Sequence, residues 1–242
     1  MIHVANPAPA SVFAAEFLTH VVELGVEHIV LSPGARSQAL ALVAAELERR
    51  GDVKLHVRID ERAAGFLALG LAVETRMPAV VITTSGSAVA NLHPAVLEAH
   101  HAGVPMIVLT ADRPEELREI GSNQTTHQHD IYGPAVRLSV DEPAPVPGAT
   151  AERRGAELAT DAFHAATDHY APGPVHLNVA FREPLSSAID VRPVEMLIQS
   201  ERRIEPGITL ELTRGPNTIV IAGADAGPRA EEVAHEGGWP LI

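Results

Sequence analysis

The stretch HIVLSPGARSQAL, residues 28–40, decides how the rest of the sequence is read. An apolar run stops at Ser32-Pro33-Gly34, and Arg36 follows at once, where a helix would begin. A short buried strand that turns tightly into a helix is the building unit of a parallel sheet covered by helices. Such sheets bind their ligands beyond the carboxyl ends of the strands. A guanidinium at that edge is a candidate carboxylate anchor, because its planar fork matches a carboxylate with two hydrogen bonds.

The same grammar recurs outward from this stretch. Aliphatic runs at 28–32, 54–59, 79–84, 105–110, 135–140 and 174–179 read as strands, and residues 8–24, 36–50, 61–76, 87–102, 114–120 and 151–168 as helices. In the first helix Val12, Phe13, Phe17, Val21 and Leu24 fall near helical spacing, and Gly25 suits its end. Six short strands with intervening helices predict an α/β fold over residues 1–185, a parallel sheet with helices on both faces. Residues 141–150 form a Pro-rich connector inside it, and 186–216 show no sustained period and read as a linker. Beyond it, NTIVIAGADAG and PRAEEVAHEGGWPLI repeat strand, glycine turn, helix and strand. Residues 217–242 are therefore expected to open a second, Rossmann-like domain that is truncated, which makes the chain a fragment.

Composition limits the function. With 46% hydrophobic and 20% charged residues the chain has a real core, and only 3% aromatics means that aliphatic side chains and alanine fill it. A net charge of −13, from 31 acidic against 18 basic residues, argues against nucleic acid or an anionic membrane as partner. An anionic ligand must then be held by a few local arginines. The absence of cysteine excludes disulfides, thiolate catalysis and Cys-ligated metals. No basic segment precedes an apolar stretch at the N-terminus, and no run approaches the ~18 apolar residues of a membrane span, so a cytoplasmic location is expected.

Four segments that follow strands carry the chemistry: SPGARS at 32–37, DERAAG at 60–65, TSGSAVAN at 84–91 and ADRPEELREIGSNQ at 111–124. In the second, Asp60 suits a helix cap, and Glu61 a first turn where the helix dipole favours a carboxylate. The following residues, Ala63 through Ala72, are apolar nearly all round, which predicts a buried helix. A carboxyl at the start of a buried helix is desolvated and raised in pKa, as proton exchange with a ring nitrogen requires. The third segment has the small residues that let backbone approach a ligand, but it is neither a Walker loop nor a Gly-x-Gly-x-x-Gly fingerprint, and it lacks Gly-x-Ser-x-Gly. The histidine clusters, His100-His101 and His127-x-His129 with Asp130, are expected to be surface or core residues rather than metal ligands. Arg36 and Arg113 share a position at strand ends, which favours carboxylate anchoring over surface ion pairs.

Taken in order and spacing, SPGARSQAL, IDERAAGFLALGLA, TSGSAVANLHPAVLEAH, LTADRPEELREIGSNQ and GPVHLNVAFREPL resemble the 2-succinyl-5-enolpyruvyl-6-hydroxy-3-cyclohexene-1-carboxylate synthases of menaquinone biosynthesis, over residues 10–185. The resemblance implies a thiamine-diphosphate enzyme with Mg²⁺ or Mn²⁺ that decarboxylates 2-oxoglutarate and adds the four-carbon unit to isochorismate. By the same resemblance Glu61 contacts N1′ of the aminopyrimidine and promotes its imino tautomer. Pro33, Thr84, Ser85, Gly86 and Asn91 lie toward the pyrimidine, and Arg36, Arg113, Asn123 and Gln124 line the substrate site.

The family binds its cofactor between the pyrimidine domain of one subunit and the diphosphate domain of another, which implies a homodimer or homotetramer. The Gly-Asp-Gly motif for the diphosphate and metal belongs to a C-terminal domain that these residues do not include. The chain alone is therefore expected neither to turn over substrate nor to bind the cofactor tightly, and its uncovered interface to dimerise or aggregate. Two departures stand out: Ala35 replaces a serine often found between the family's Pro-Gly and Arg, and the stretch after Asn123-Gln124 is unusually His-rich. Another thiamine-diphosphate lyase, related to acetolactate synthase, would share the glutamate helix but explain TADRPEEL and GSNQ less well. A noncatalytic α/β binding module with an incidental glutamate is the alternative outside the enzymes.

Overall fold

Residues 7–188, 190–197, 215, 217–223 and 226–242 are described by a computed structural model. They fall into two units, divided between Gln199 and Ser200.

In the first unit the aliphatic runs become β1 (His28–Leu31), β2 (Lys54–Val57), β3 (Ala79–Thr83), β4 (Met106–Asp112), β5 (Ser139–Glu142) and β6 (Pro174–Ala180). They form one six-stranded sheet in the order β2-β1-β3-β4-β6-β5, with every pairing parallel. This is the fold that the strand and helix alternation predicts. Strand geometry sends successive side chains to opposite faces. Ile29, Leu31, Val80, Ile82, Ile107, Leu109, Val175 and Leu177 accordingly build one core with α1 (Pro9–Glu23), α2 (Gln38–Arg50) and α6 (Ala149–Ala166). Val30, Val81, Met106 and Val108 build the other with α3 (Glu61–Thr75), α4 (Ser87–Asn91) and α5 (His93–Ala102). Because β1 lies between β2 and β3, the chain leaves it first to one side and then to the other. The crevice between the loops after β1 and β3 is thus the switch point at which open α/β sheets bind ligands.

Several elements differ from the sequence reading, each for a local reason. The helix expected over 87–102 breaks at Leu92 into α4 and α5, since Pro94 supplies no amide to the turn before it. The helix expected over 114–120 is only a 3₁₀ turn, Glu115–Leu117, cut short by left-handed backbone at Glu119 (φ 59°) and Gly121 (φ 76°). The fifth strand lies at 139–142 rather than 135–140, because Gly133–Ala135 make a 3₁₀ turn and pairing with β6 begins at Ser139 opposite His176. The expectation that α3 is buried all round is also overturned. Ala64, Gly65, Ala68 and Ala72 pack inward, while Phe66 is 40% and Val73 57% exposed.

Residues 186–188 and 190–197 run along α1. Ser187 exchanges hydrogen bonds with Ala8 and Ser11, and Arg192 pairs with Glu16 and Glu23. The remainder of the 186–216 stretch, except Gly215, lies outside the described residues, as does Ile189. In the second unit α7 (Gly227–Gly237) connects two extended segments that meet in a parallel bridge between Val220 and Leu241.

Candidate active site

The loops after β1 and β3 are packed into each other. A Cβ on Gly34 would collide with the Cβ and both branches of Thr84, so glycine alone allows this approach. Gly86 is constrained twice: its φ is +85°, and a Cβ there would lie 2.9 Å from Cγ of Gln124. Ser37 supports the first loop by donating to the Gly34 carbonyl (3.1 Å). Pro33 and Ala35 at its tip are exposed, and Thr84, Ser85 and Gly86 are buried. The buried Ser32 hydroxyl, at the end of β1, has no hydrogen-bond partner. A buried hydroxyl without a partner beside a glycine-lined loop contact marks this edge as the candidate site.

Arg113, at the end of β4, reaches the same crevice. Its Nη1 donates to the Ser85 hydroxyl and to the Gln124 carbonyl (2.8 Å). Gln124 closes the ring, since its Nε2 donates to the Ser85 carbonyl (3.1 Å) and its own carbonyl accepts from Ser85 Oγ (3.0 Å). Arg36 lies nearby, donating from Nη1 to the Phe181 carbonyl (2.9 Å), with Glu183 3.8 Å away. Burial, together with the charge of Arg36, pushes the Arg113 guanidinium below its ordinary pKa. Two like charges are thus held by carbonyl oxygens at one sheet edge.

Glu61 opens α3, whose first turn is capped by Asp60 Oδ1 accepting from Ala63 N (2.7 Å). The carboxyl is half-buried in this chain rather than buried, because the outward face of α3 is open. On the inward face a Cβ at Gly65 would stand 2.9 Å from that of Ala95, so α3 lies close against α5. Asn91 ends α4 and is exposed, as is Asn123, whose carbonyl accepts from Thr125 Oγ1 (3.3 Å). The structure thus joins Arg113, Ser85 and Gln124 in one ring, with Gly86 against Gln124, Thr84 against Gly34 and Arg36 near enough for its charge to act on Arg113. Asn91 and Asn123 are exposed, and their side chains make no hydrogen bond to that ring.

Behind the crevice lies a polar cluster that the sequence reading missed. Asp112, Thr110, Gln128, His176 and Asn178 are all buried, and Arg118 and Asp141 complete the group. One signal was present: PVHLNVA places two polar residues, His176 and Asn178, on one face of an otherwise apolar strand, which requires partners on that side. Burial raises the Asp141 carboxyl, but hydrogen bonds from Arg118 and Asn178 and the Arg118 charge outweigh it and hold the group below its usual value. The clustered histidines behave otherwise. His127 and His129 are exposed, and His129 pairs with Asp130 (2.9 Å). Among the described residues no group of three or more His, Asp or Glu is placed to hold a metal ion, and no helix is long and apolar enough to cross a membrane.

Comparison with known proteins adds to this geometry. Residues 13–132 match the thiamine pyrophosphate enzyme N-terminal TPP binding domain. The chain is 55% identical over 246 residues to the 2-succinyl-5-enolpyruvyl-6-hydroxy-3-cyclohexene-1-carboxylate synthase of Leifsonia xyli subsp. xyli, covering 97% of this chain and 40% of that protein. It is 55% identical over 227 residues to the synthase of that name from Clavibacter michiganensis subsp. michiganensis (89% of this chain, 38% of that protein). It is 50% identical over 243 residues to the one from Kineococcus radiotolerans (97% and 43%). The chain spans about two fifths of the length of these relatives.

Proposed function

We propose that this chain, which belongs to the thiamine pyrophosphate enzyme family as the counterpart of the N-terminal part of the 2-succinyl-5-enolpyruvyl-6-hydroxy-3-cyclohexene-1-carboxylate synthases, supplies the pyrimidine-side and substrate-anchoring half of such an active site. The reaction is a carbon–carbon bond-forming transfer: 2-oxoglutarate loses CO₂ and its four-carbon remainder is added to isochorismate. Thiamine diphosphate, when bound, supplies the carbon nucleophile and the electron sink for decarboxylation.

The residues of this chain divide the remaining work. Glu61 exchanges a proton with ring N1′ from the first turn of α3. Pro33, Thr84, Ser85, Gly86 and Asn91 form the pyrimidine side, where the Gly34–Thr84 contact holds the two loops together. Arg36 and Arg113, with Asn123 and Gln124, hold the carboxylates of the two anionic substrates and so orient them. The observation that carries this reading is the convergence of Arg36 and Arg113 on one crevice, with Arg113 locked between Ser85 and Gln124.

Residues 1–185 act in this reading as the pyrimidine-binding domain, 186–216 as a linker, and 217–242 as the opening of a middle domain. The diphosphate and its Mg²⁺ or Mn²⁺ are held by a domain that corresponds to the part of the relatives not aligned here, contributed by a second subunit of a cytoplasmic dimer or tetramer. The test is an assay of the full-length protein with thiamine diphosphate and Mg²⁺. Loss of 2-oxoglutarate that requires isochorismate supports the proposal, and self-condensation of pyruvate without isochorismate supports the acetolactate-type reading instead.

A further inference from the structure

We infer that Gln128 is a positioning residue: it sets the Ser85–Gly86 turn against the segment carrying Arg113 and Gln124, and its own orientation is dictated by Asp112 and Asp141 through Asn178. The inference rests on the proposed function for its kinetic consequence, and on hydrogen-bond geometry for its structural one.

The chain of constraint begins with the two carboxylates. Asn178 Nδ2 donates to Asp112 Oδ2 (2.9 Å) and to Asp141 Oδ1 (2.7 Å). Carboxylates only accept, so the amide cannot be flipped. Arg118 holds both aspartates in place, at 2.9 Å from Asp112 and 2.7 Å from Asp141, and Asp112 Oδ1 accepts from the Arg113 amide (2.7 Å).

Asn178 Oδ1 must therefore face inward, where it accepts from Gln128 Nε2 (2.7 Å) and Thr110 Oγ1 (2.9 Å). This settles Gln128 in turn. Its Nε2, which also donates to the Ala111 carbonyl (3.2 Å), points at the β4–β6 pair, so its Oε1 is the atom that accepts from the Gly86 amide (2.8 Å). Gly86 has a φ of +85° and lies so close to Gln124 that an added Cβ would stand 2.9 Å from its Cγ. These donor and acceptor assignments thus run in one direction, from the partly buried Arg118–aspartate ion pairs to a single backbone amide in the candidate site. A merely space-filling glutamine would not need its amide dipole oriented. The cluster also borders a cavity of about 420 Å³ whose lining includes Asp112, Arg118, Gln128, His129 and Asp141.

Two variants of the full-length protein test this. Gln128→Leu removes both functions of the amide, and kcat/KM for 2-oxoglutarate is expected to fall roughly tenfold, about the worth of one buried hydrogen bond. Gln128→Glu keeps an acceptor for Gly86 but turns a carboxylate toward two acceptors, the Ala111 carbonyl and Asn178 Oδ1. It works only when protonated, so its kcat/KM should approach wild type at low pH and fall toward the Gln128→Leu level as pH rises. Wild-type kcat/KM in Gln128→Leu, or the same pH profile in both variants, would overturn the inference.

Hydrogen exchange of the peptide containing Gly86 is read in parallel, without substrates. Loss of protection in Gln128→Leu supports the positioning role even where the wild type does not consume 2-oxoglutarate, an outcome that refutes only the proposed reaction. Unchanged protection refutes the positioning role whatever the activity.

Discussion

Gly34 and Thr84 touch so closely that no side chain fits between them. This contact joins the loops after β1 and β3 across the switch point of the sheet, and it sets the spacing of the crevice that Arg36 and Arg113 enter. Gly34→Ala forces the Thr84 branches or the loop backbone aside, an overpacking that costs about 1–3 kcal/mol. Urea unfolding should show that loss, and cofactor affinity of the full-length protein should fall with it. A Gly34→Ala protein of wild-type stability would mean that the loops separate freely.

Arg36 and Arg113 are expected to act through charge and fork geometry together. Arg36→Ala should lower kcat/KM for the anionic substrates by roughly ten- to a hundredfold, the range of a lost charge-assisted hydrogen bond. Arg113→Lys should do nearly the same, because an ammonium offers a carboxylate a point charge and not the planar two-bond fork of a guanidinium. Steady-state kinetics at subsaturating substrate provides the check, and unchanged values would remove either residue from the substrate site.

Glu61→Gln keeps the size of the side chain and the cap made by Asp60, yet removes the carboxyl proposed to carry the proton. Turnover should drop by roughly a hundredfold or more, with the circular dichroism spectrum unchanged. Near-normal turnover would leave Glu61 with no more than a favourable place at the helix N-terminus.

His176 makes stability depend on pH. Thr110 Oγ1 donates to Asn178, so His176 Nε2 must donate to that oxygen (2.9 Å), which leaves Nδ1 bare and the ring neutral. Burial lowers its pKa from 6.5 to about 4. The folded state then binds fewer protons than the unfolded one, so this stabilisation is complete above about pH 6.5 and is lost as pH falls toward 4. About 2 kcal/mol should be gone by pH 5. His28 and His56, lowered chiefly by burial, act in the same direction. The carboxylates Glu23 and Asp141, held low, add to the loss only in more acidic solution. Urea titrations at pH 7 and pH 5 should show the slope, and His176→Gln should flatten it; equal slopes would assign the pH dependence elsewhere.

Arg192 fastens residues 190–197 to α1 through Glu23, which is almost wholly buried. Arg192→Ala leaves that carboxylate with the Glu195 amide (3.0 Å) and His20 (3.2 Å) as its remaining partners. The loss should be about 2 kcal/mol, and limited proteolysis should open the chain after residue 186. Undiminished protease resistance would show that Val191 and the Ser187 contacts suffice.

The sequence by itself determined the layered α/β fold and the loops at its carboxyl edge, because strand and helix periods and glycine turns are local properties. HIVLSPGARSQAL already contains the strand, the turn and the position of Arg36, and DERAAG contains both the cap and Glu61. Tertiary structure alone decided which groups share the crevice. That Arg113 is held by Ser85, that Gln128 grips Gly86, and that Asn178 orients Gln128 depend on strand order, which places β4 between β3 and β6 although β5 precedes β6 in the chain. The open face of α3 has the same origin: a helix that is apolar all round announces burial, but which of its faces this chain covers depends on what packs against it. Periodicity is written in neighbouring residues, whereas hydrogen-bond partners tens of residues apart exist only once the sheet has formed.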